Sequence, residues 1–304
     1  MTIGCKEGGP VGLLYGVDSE YKGLRAVIMH RPGPEIGEIE NPQEVLHVRG
    51  IDPVALDREY DGIINLYERL GVKVFQMDAD VPESERRSLY NLMYVRDLLF
   101  MTPKGAVISR MGHPVRQHEA ACMEKTAMAI GLPVIKKIEG DATFEGADAL
   151  WLDPLHVVVG IGRRTNHEGF RELDEALNRQ GVKCIPVPAP SLSLHLMGSL
   201  QIIDSGLALV RAESVDREIM AVMSKKGIKT IAIAENEEVE ERHAMNIVTI
   251  APGRVIMPSG CPVTRKVYER HGIEVVAEVE TRELANGGGG LACATGILLR
   301  EAAL

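Results

Sequence analysis

Along this 304-residue chain, short strand-length apolar runs alternate with longer amphipathic stretches, and one junction between them recurs five times. It reads Gly-apolar-x-apolar, with Thr in the last place of one copy: Gly71-Val-Lys-Val, Gly131-Leu-Pro-Val, Gly181-Val-Lys-Cys, Gly227-Ile-Lys-Thr and Gly272-Ile-Glu-Val. Most copies follow an amphipathic stretch with a polar end, as residues 171–179 precede Gly181. A glycine in that place is the residue just past a helix end, and the apolar alternation after it is a strand. Before each predicted helix lies a strand or a strand pair with a turn. Residues 24–29 open the first unit, and 97–109 turn at Pro103-Lys-Gly. Residues 149–161 turn at Asp153-Pro, 200–210 at Asp204-Ser-Gly, and 247–257 at Pro252-Gly.

The five junctions are 60, 50, 46 and 45 residues apart, so the chain reads as five ββαβ units, the first of them irregular. A fixed period of this kind predicts a closed radial arrangement or an array. A ring would bring equivalent strand ends together around a central axis. The competing reading is a generic α/β domain in which helix-Gly-strand junctions recur because they are common. Strands alternate with helices in both, so the fold class is α/β or α+β.

Composition narrows the picture without changing it. At 45% hydrophobic and 25% charged residues, the chain is globular and long enough for one large domain over 1–304 or two small ones, with 1–12, around Gly8-Gly9-Pro10, as a loose N-terminal arm. The apolar runs are too short to span a bilayer, and the N-terminus lacks the layout of a signal peptide. Five cysteines without a C-x-x-C pair fit a reducing, cytoplasmic setting. A formal charge of −9 argues against a nucleic-acid partner. Nothing in the sequence sets an oligomeric state.

Candidate chemistry gathers where the units join. Four glycines, Gly287–Gly290, lead to Cys293 at the start of an apolar C-terminal segment. Such a run suggests a path that Cβ atoms would block, and a cysteine delivered that way to a helix N-terminus is a candidate nucleophile. The alternative is a flexible linker beside a buried thiol. Asp97, in Asn91-Leu-Met-Tyr-Val-Arg96-Asp97, sits at the mouth of an apolar strand, where a carboxylate is costly unless paired or solvated. Glu139, Asp141, Glu145 and Asp148 form either a solvated loop or a tight turn that aims carboxylates inward. His195 is flanked by leucines, a setting commoner for a core histidine than for a catalyst. Arg110, Arg116, Arg163 and Arg164 are surface charges or partners for a planar carboxylate. His113 and His118 lack metal-ligand spacing, and no phosphate-binding glycine motif occurs, so neither a metal nor a nucleotide cofactor is expected.

In this order, the motifs resemble the guanidine-modifying superfamily, which includes arginine deiminase, dimethylarginine dimethylaminohydrolase and the amidinotransferases. The similarity starts at Gly23-Leu-Arg-Ala-Val-Ile-Met-His-Arg-Pro-Gly33 and runs through Arg96-Asp97, Glu145-Gly-Ala-Asp148, Arg164-Thr-Asn166 and His195-Leu to Cys293. It implies a five-bladed α/β propeller, the pentein fold, of ββαβ repeats around a pseudo-fivefold axis. It also implies a small cationic guanidino substrate. By resemblance, Cys293 is the nucleophile, His195 the general acid and base, and Asp97 and Glu145 the groups that grip the guanidinium. Asn91, Arg116 and Arg164 match positions that hold a substrate α-carboxylate, and Asp148 is a supporting acid.

Three positions depart from that pattern. Met197 stands where deiminases and amidinotransferases carry an acid two residues after the histidine, an acid the dimethylaminohydrolases also lack. Gly296 stands where the family often has proline, and Arg96 precedes Asp97 as in deiminases. The expected activity is hydrolysis of arginine or an Nω-substituted arginine through a covalent thiouronium. Amidino transfer to an amine is the alternative, and a non-catalytic pentein binding protein the more distant one. A papain-like Cys/His hydrolase fits poorly, because its cysteine lies near the N-terminus. Cys261, on a turn before Pro262, is the rival thiol and reads as structural.

Overall fold

The structure is a computed structural model and describes residues 15–77 and 88–301; the expected arm over 1–12 and Cys5 lie outside them. Five three-stranded sheets form the scaffold, each with one antiparallel and one parallel pair. Blade two is a hairpin of β3 (Leu99–Thr102) and β4 (Gly105–Ile108), helix α2 (Glu119–Ala129), and β5 (Val134–Lys137) parallel to β4. Blade three repeats this with β6 (Ala149–Asp153), β7 (His156–Ile161), α3 (His167–Asn178) and β8 (Lys183–Pro188). Blade four has β9 (Leu200–Asp204), β10 (Leu207–Arg211), α4 (Arg217–Lys225) and β11 (Lys229–Ile233). Blade five has β12 (Val248–Ala251), β13 (Arg254–Pro258), α5 (Pro262–Arg270) and β14 (Glu274–Val279).

Blade one explains the irregular first unit. Among the described residues, no strand precedes its β1 (Leu24–Met29), α1 (Pro53–Arg69) and β2 (Lys73–Gln76) in sequence. The missing strand is β15 (Gly296–Arg300), from the other end of the chain, antiparallel to β1 with Val27 opposite Ile297. The ring is therefore closed by the C-terminal segment.

The recurring sequence junction has one physical cause. Gly71, Gly131, Gly181, Gly227 and Gly272 all adopt left-handed backbone, with φ between +69° and +79°. After each, the amide of the next residue reaches back to a carbonyl in the last helical turn: Val72 to Tyr67, Leu132 to Ala127, Val182 to Leu177, Ile228 to Met223 and Ile273 to Tyr268. This is the Schellman helix stop. The residue after the glycine is buried in all five copies, so one motif ends the helix, satisfies a carbonyl and anchors the following strand.

Each hairpin is buried while the third strand faces outward, as β3 and β4 are buried throughout and β5 is largely exposed. Neighbouring blades meet through their inner strands, β15 against β3 and β6 against β9. The turns that enter those strands consequently converge at one end of the axis.

Candidate active site

Four of the five inner strands are preceded by a single helical turn: Val95–Leu98, Gly146–Asp148, Leu196–Gly198 and Leu291–Ala294. These carry or adjoin Asp97, Glu145 with Asp148, His195, and Cys293. In blade five the same place, just before β12, is taken by Asn246. The turns pack in ring order, 291–294 on 95–98, 95–98 on 146–148, and 146–148 on 196–198. They line a cavity of about 290 Å³ whose wall includes Asn91, Asp97, Arg116, Arg164, His195 and Cys293.

His195 and Glu145 are in close contact, with Nε2 and Oε2 2.6 Å apart. His195 Nδ1 lies 3.7 Å from Asp97 Oδ1. Burial opposes a charge on the imidazole, yet Asp97, Glu145 and Asp148 outweigh it and hold its pKa up to about 9. Burial likewise works against the Glu145 carboxylate, but His195, Arg116 and Arg164 keep it ionised. Glu145 is fully buried behind the cavity wall. Its Oε1 also accepts the Gly112 amide at 3.0 Å and Arg164 Nη1 at 3.3 Å.

Arg116 lies among three carboxylates. Its Nη1 donates to Asp97 Oδ2 at 2.6 Å and lies 3.7 Å from Glu145 Oε2. Its Nε donates to Glu119 Oε2 at 2.9 Å, and its Nη2 to the Asn91 carbonyl at 3.3 Å. Among the described residues, Asp97 Oδ1 is a buried oxygen with no hydrogen-bond donor. The Asn91 amide donates to the Val45 carbonyl at 2.8 Å.

Asp148 does not line the cavity. Its Oδ2 accepts from Thr165 Oγ1 at 2.7 Å and its Oδ1 from the Leu196 amide at 3.0 Å, so it pins the backbone beside His195 to blade three. Burial raises its pKa to about 6. Of the adjacent arginines, Arg164 lines the cavity while Arg163 is exposed. Arg110 closes a backbone bridge with Phe144.

Cys293 is half-buried, the third residue of a helix only one turn long. Burial and Asp97 push its thiol up to about 11, while Asn246, Gly290 and Arg116 pull the other way. Crowding requires glycine at Gly287, Gly289 and Gly290, and left-handed backbone, φ +95°, at Gly288. A Cβ on Gly287 would lie 2.3 Å from the Tyr94 hydroxyl, and one on Gly289 2.3 Å from the Tyr94 ring. The rival Cys261 is fully buried ahead of α5.

The sequence singles out neither Asn246 nor Glu119. The fivefold period marks Asn246, the polar residue before the fifth apolar hairpin, and the three-residue spacing from Arg116 marks Glu119. Asp97, Glu145 and His195 also bring ligand atoms within 4.8 Å of one another, a spacing that suits a metal ion. Arg116 and Arg164 already place two cations on those carboxylates, which disfavours a third.

Comparison with known proteins agrees with this plan. The family model for arginine deiminase matches residues 85–205 and 204–300. The N(G),N(G)-dimethylarginine dimethylaminohydrolase of Pseudomonas aeruginosa is 31% identical over 219 residues, covering 71% of this chain and 80% of that protein. The arginine deiminase of Listeria welshimeri is 25% identical, over 70% of this chain and 62% of its own length. A solved dimethylarginine dimethylaminohydrolase superposes with a TM-score of 0.72 at 23% identity, covering 91% of this chain and all of the other. The inosamine-phosphate amidinotransferase of Streptomyces griseus gives 0.73 at 16% identity, covering 96% and 98%. At these identities the two structures establish a shared fold. Five ββαβ blades around a polar centre place the protein among the penteins, the guanidine-modifying superfamily. Within that class, the chain belongs to the arginine deiminase family.

Proposed function

We propose that the protein is a hydrolase that cleaves a C–N bond of a guanidino group, acting on arginine or an Nω-substituted arginine. The products are citrulline and ammonia or an alkylamine. The observation that carries this is Asp97: a buried carboxylate in the cavity wall with one oxygen lacking a donor, on the same cavity as Cys293 and a charged His195. A buried acceptor of that kind calls for a cationic N–H donor. Arg116 illustrates the fit, since its own guanidinium already bonds the other Asp97 oxygen.

In this scheme Asp97 Oδ1 and the negative charge of Glu145 hold the substrate guanidinium still. The Cys293 thiolate attacks the central carbon, forming a C–S bond and a tetrahedral adduct. His195 gives a proton from Nδ1, the nitrogen not committed to Glu145, to the departing nitrogen as its C–N bond breaks. That leaves a thiouronium on Cys293. The neutral imidazole then takes a proton from water, hydroxide adds to the same carbon, and the C–S bond breaks to release a ureido product. Holding the reactants in line contributes on the order of 7 kcal/mol or more to such a step at best.

Two features bear on the substrate. Arg116 is committed to Asp97, Glu119 and the Asn91 carbonyl, so Arg164, whose side chain bonds Glu145, is the freer of the two to take an α-carboxylate. Asn91 sits in the same wall. Met197 lines the cavity with a thioether where an acid would exclude an alkyl group, which favours an Nω-alkylated substrate. Amidino transfer draws support from the fold shared with the amidinotransferase and counter-evidence from Met197.

Incubation with arginine, methylated arginines and agmatine, followed by assay of ureido product and released amine, tests this. Product from one of them, abolished by Cys293→Ser and retained in Cys261→Ser, is expected. No product from any guanidine, with or without an acceptor amine, rejects the proposal.

A further inference from the structure

Four blades bring a residue of the proposed chemistry to the turn before the inner strand, and blade five brings Asn246. We infer that Asn246 is a positioning residue that fixes Cys293 and donates a hydrogen bond to its sulfur, favouring the thiolate over the thiol. This deepens the hydrolase proposal and rests on Cys293 as the nucleophile.

The contacts fix which way the amide points. Asn246 Oδ1 accepts two backbone amides, Ala292 N at 2.6 Å and Cys293 N at 3.2 Å. An oxygen must stand there, so the nitrogen is left facing the thiol, and Nδ2 lies 3.0 Å from Cys293 Sγ. The side chain is buried, and no other side-chain hydrogen bond to that sulfur occurs among the described residues. Room is kept for it by Gly290, where a Cβ would lie 2.8 Å from both Asn246 Cγ and Oδ1. A second contact from the same segment, His243 Nδ1 to the Gly289 carbonyl at 2.7 Å, ties the glycine run to blade five.

An N–H bonds a thiolate more strongly than a thiol, so such a donor shifts the balance toward the charged form. Among the other influences on the sulfur, burial and Asp97 disfavour a negative charge, the Gly290 backbone and Arg116 favour it, and Tyr94 is a neutral phenol held by burial. Asn246 is neutral, so it supports the thiolate without competing with a cationic substrate for Asp97.

The test follows iodoacetamide alkylation of Cys293 on its own peptide by mass spectrometry, across pH, in wild type, Asn246→Ala and Asn246→Asp. Circular dichroism and thermal melts check the fold. In the alanine variant the alkylation rate at each pH below the midpoint should fall about tenfold, equivalent to a midpoint about one pH unit higher. The aspartate keeps an acceptor for the two amides but puts a carboxylate where the donor stood, and should shift at least as far. A purely structural Asn246 would lower turnover and leave the alkylation profile in place, so an unmoved profile in a folded alanine variant overturns the inference. If the alanine variant does not fold, an unmoved profile in the aspartate variant does so. Turnover retained by Cys293→Ser would instead sink the hydrolase proposal while leaving the alkylation result standing.

Discussion

Burial alone would strip the charge from His195, yet three carboxylates around it hold its pKa up to about 9. The imidazolium is therefore the resting form at neutral pH, ready to protonate a leaving amine. Turnover should accordingly fall as pH rises through about 9, and Glu145→Gln should move that limb to lower pH by removing an anion 2.6 Å from Nε2. A pH–rate profile of both proteins checks this, and an unshifted limb rejects it. The same group links pH to stability. Its folded pKa lies above the usual value of 6.5, so its stabilisation is complete below pH 6.5 and is lost as pH rises through about 9. The melting-temperature gap between wild type and His195→Gln should be widest below pH 6.5 and close above 9. Cys293 is also held protonated, because burial and Asp97 keep it a thiol near neutrality. A guanidinium bound at Asp97 cancels that repulsion, so thiolate absorbance titrated with a cationic guanidine present should show a lower midpoint than without. An identical midpoint would show that substrate does not generate its own nucleophile.

At the scale of elements, glycine serves two separate physical needs. Gly181 closes α3 with φ +78° and has open space around it, so its requirement is conformational. An alanine there costs about 1–2 kcal/mol of left-handed strain and leaves the centre untouched. Gly289 has no comparable freedom of space, since a Cβ would sit 2.3 Å from the Tyr94 ring. Gly289→Ala should displace Tyr94 or the cysteine turn, costing about 1–3 kcal/mol as overpacking and a large share of turnover. Denaturant melts and turnover on both variants separate the cases: Gly181→Ala loses stability with activity retained, and Gly289→Ala loses both. Equal activity in the two would mean that the glycine run does not set the position of Cys293.

For the whole molecule, the decisive contact joins the chain's two ends. Strand β15 supplies the inner edge of blade one and follows Cys293 directly, so closure of the ring and placement of the nucleophile are one event. A truncation after Thr295 removes β15, exposes the edge of β1 and frees the cysteine turn. It should lose the cooperative thermal transition of the full chain, whereas removing only 302–304 should preserve it. A cooperative melt in the first truncation would show that blade one stands without its C-terminal strand. No described helix is long and apolar enough to cross a membrane, and the apolar surface is instead used between blades.

The sequence by itself determined the repeat, because a Schellman stop and a hairpin turn are local: each needs one glycine or turn residue and a few neighbours in order. It also exposed Cys293, Asp97, Glu145 and His195, since polar residues bordering apolar runs stand out in one dimension. Only the tertiary structure decided which of these meet. The Glu145–His195 pair spans 50 positions and the Asn246–Cys293 contact 47, close to one repeat interval, so the period puts the partners at like places in successive units, but only the packed ring brings their side chains together. Arg116 reads as a carboxylate holder until Asp97, Glu119 and the Asn91 carbonyl are seen around it. Likewise the first unit looks irregular until β15 arrives from the far end of the chain. Local stereochemistry wrote the blades, and the closing of the ring assembled the centre.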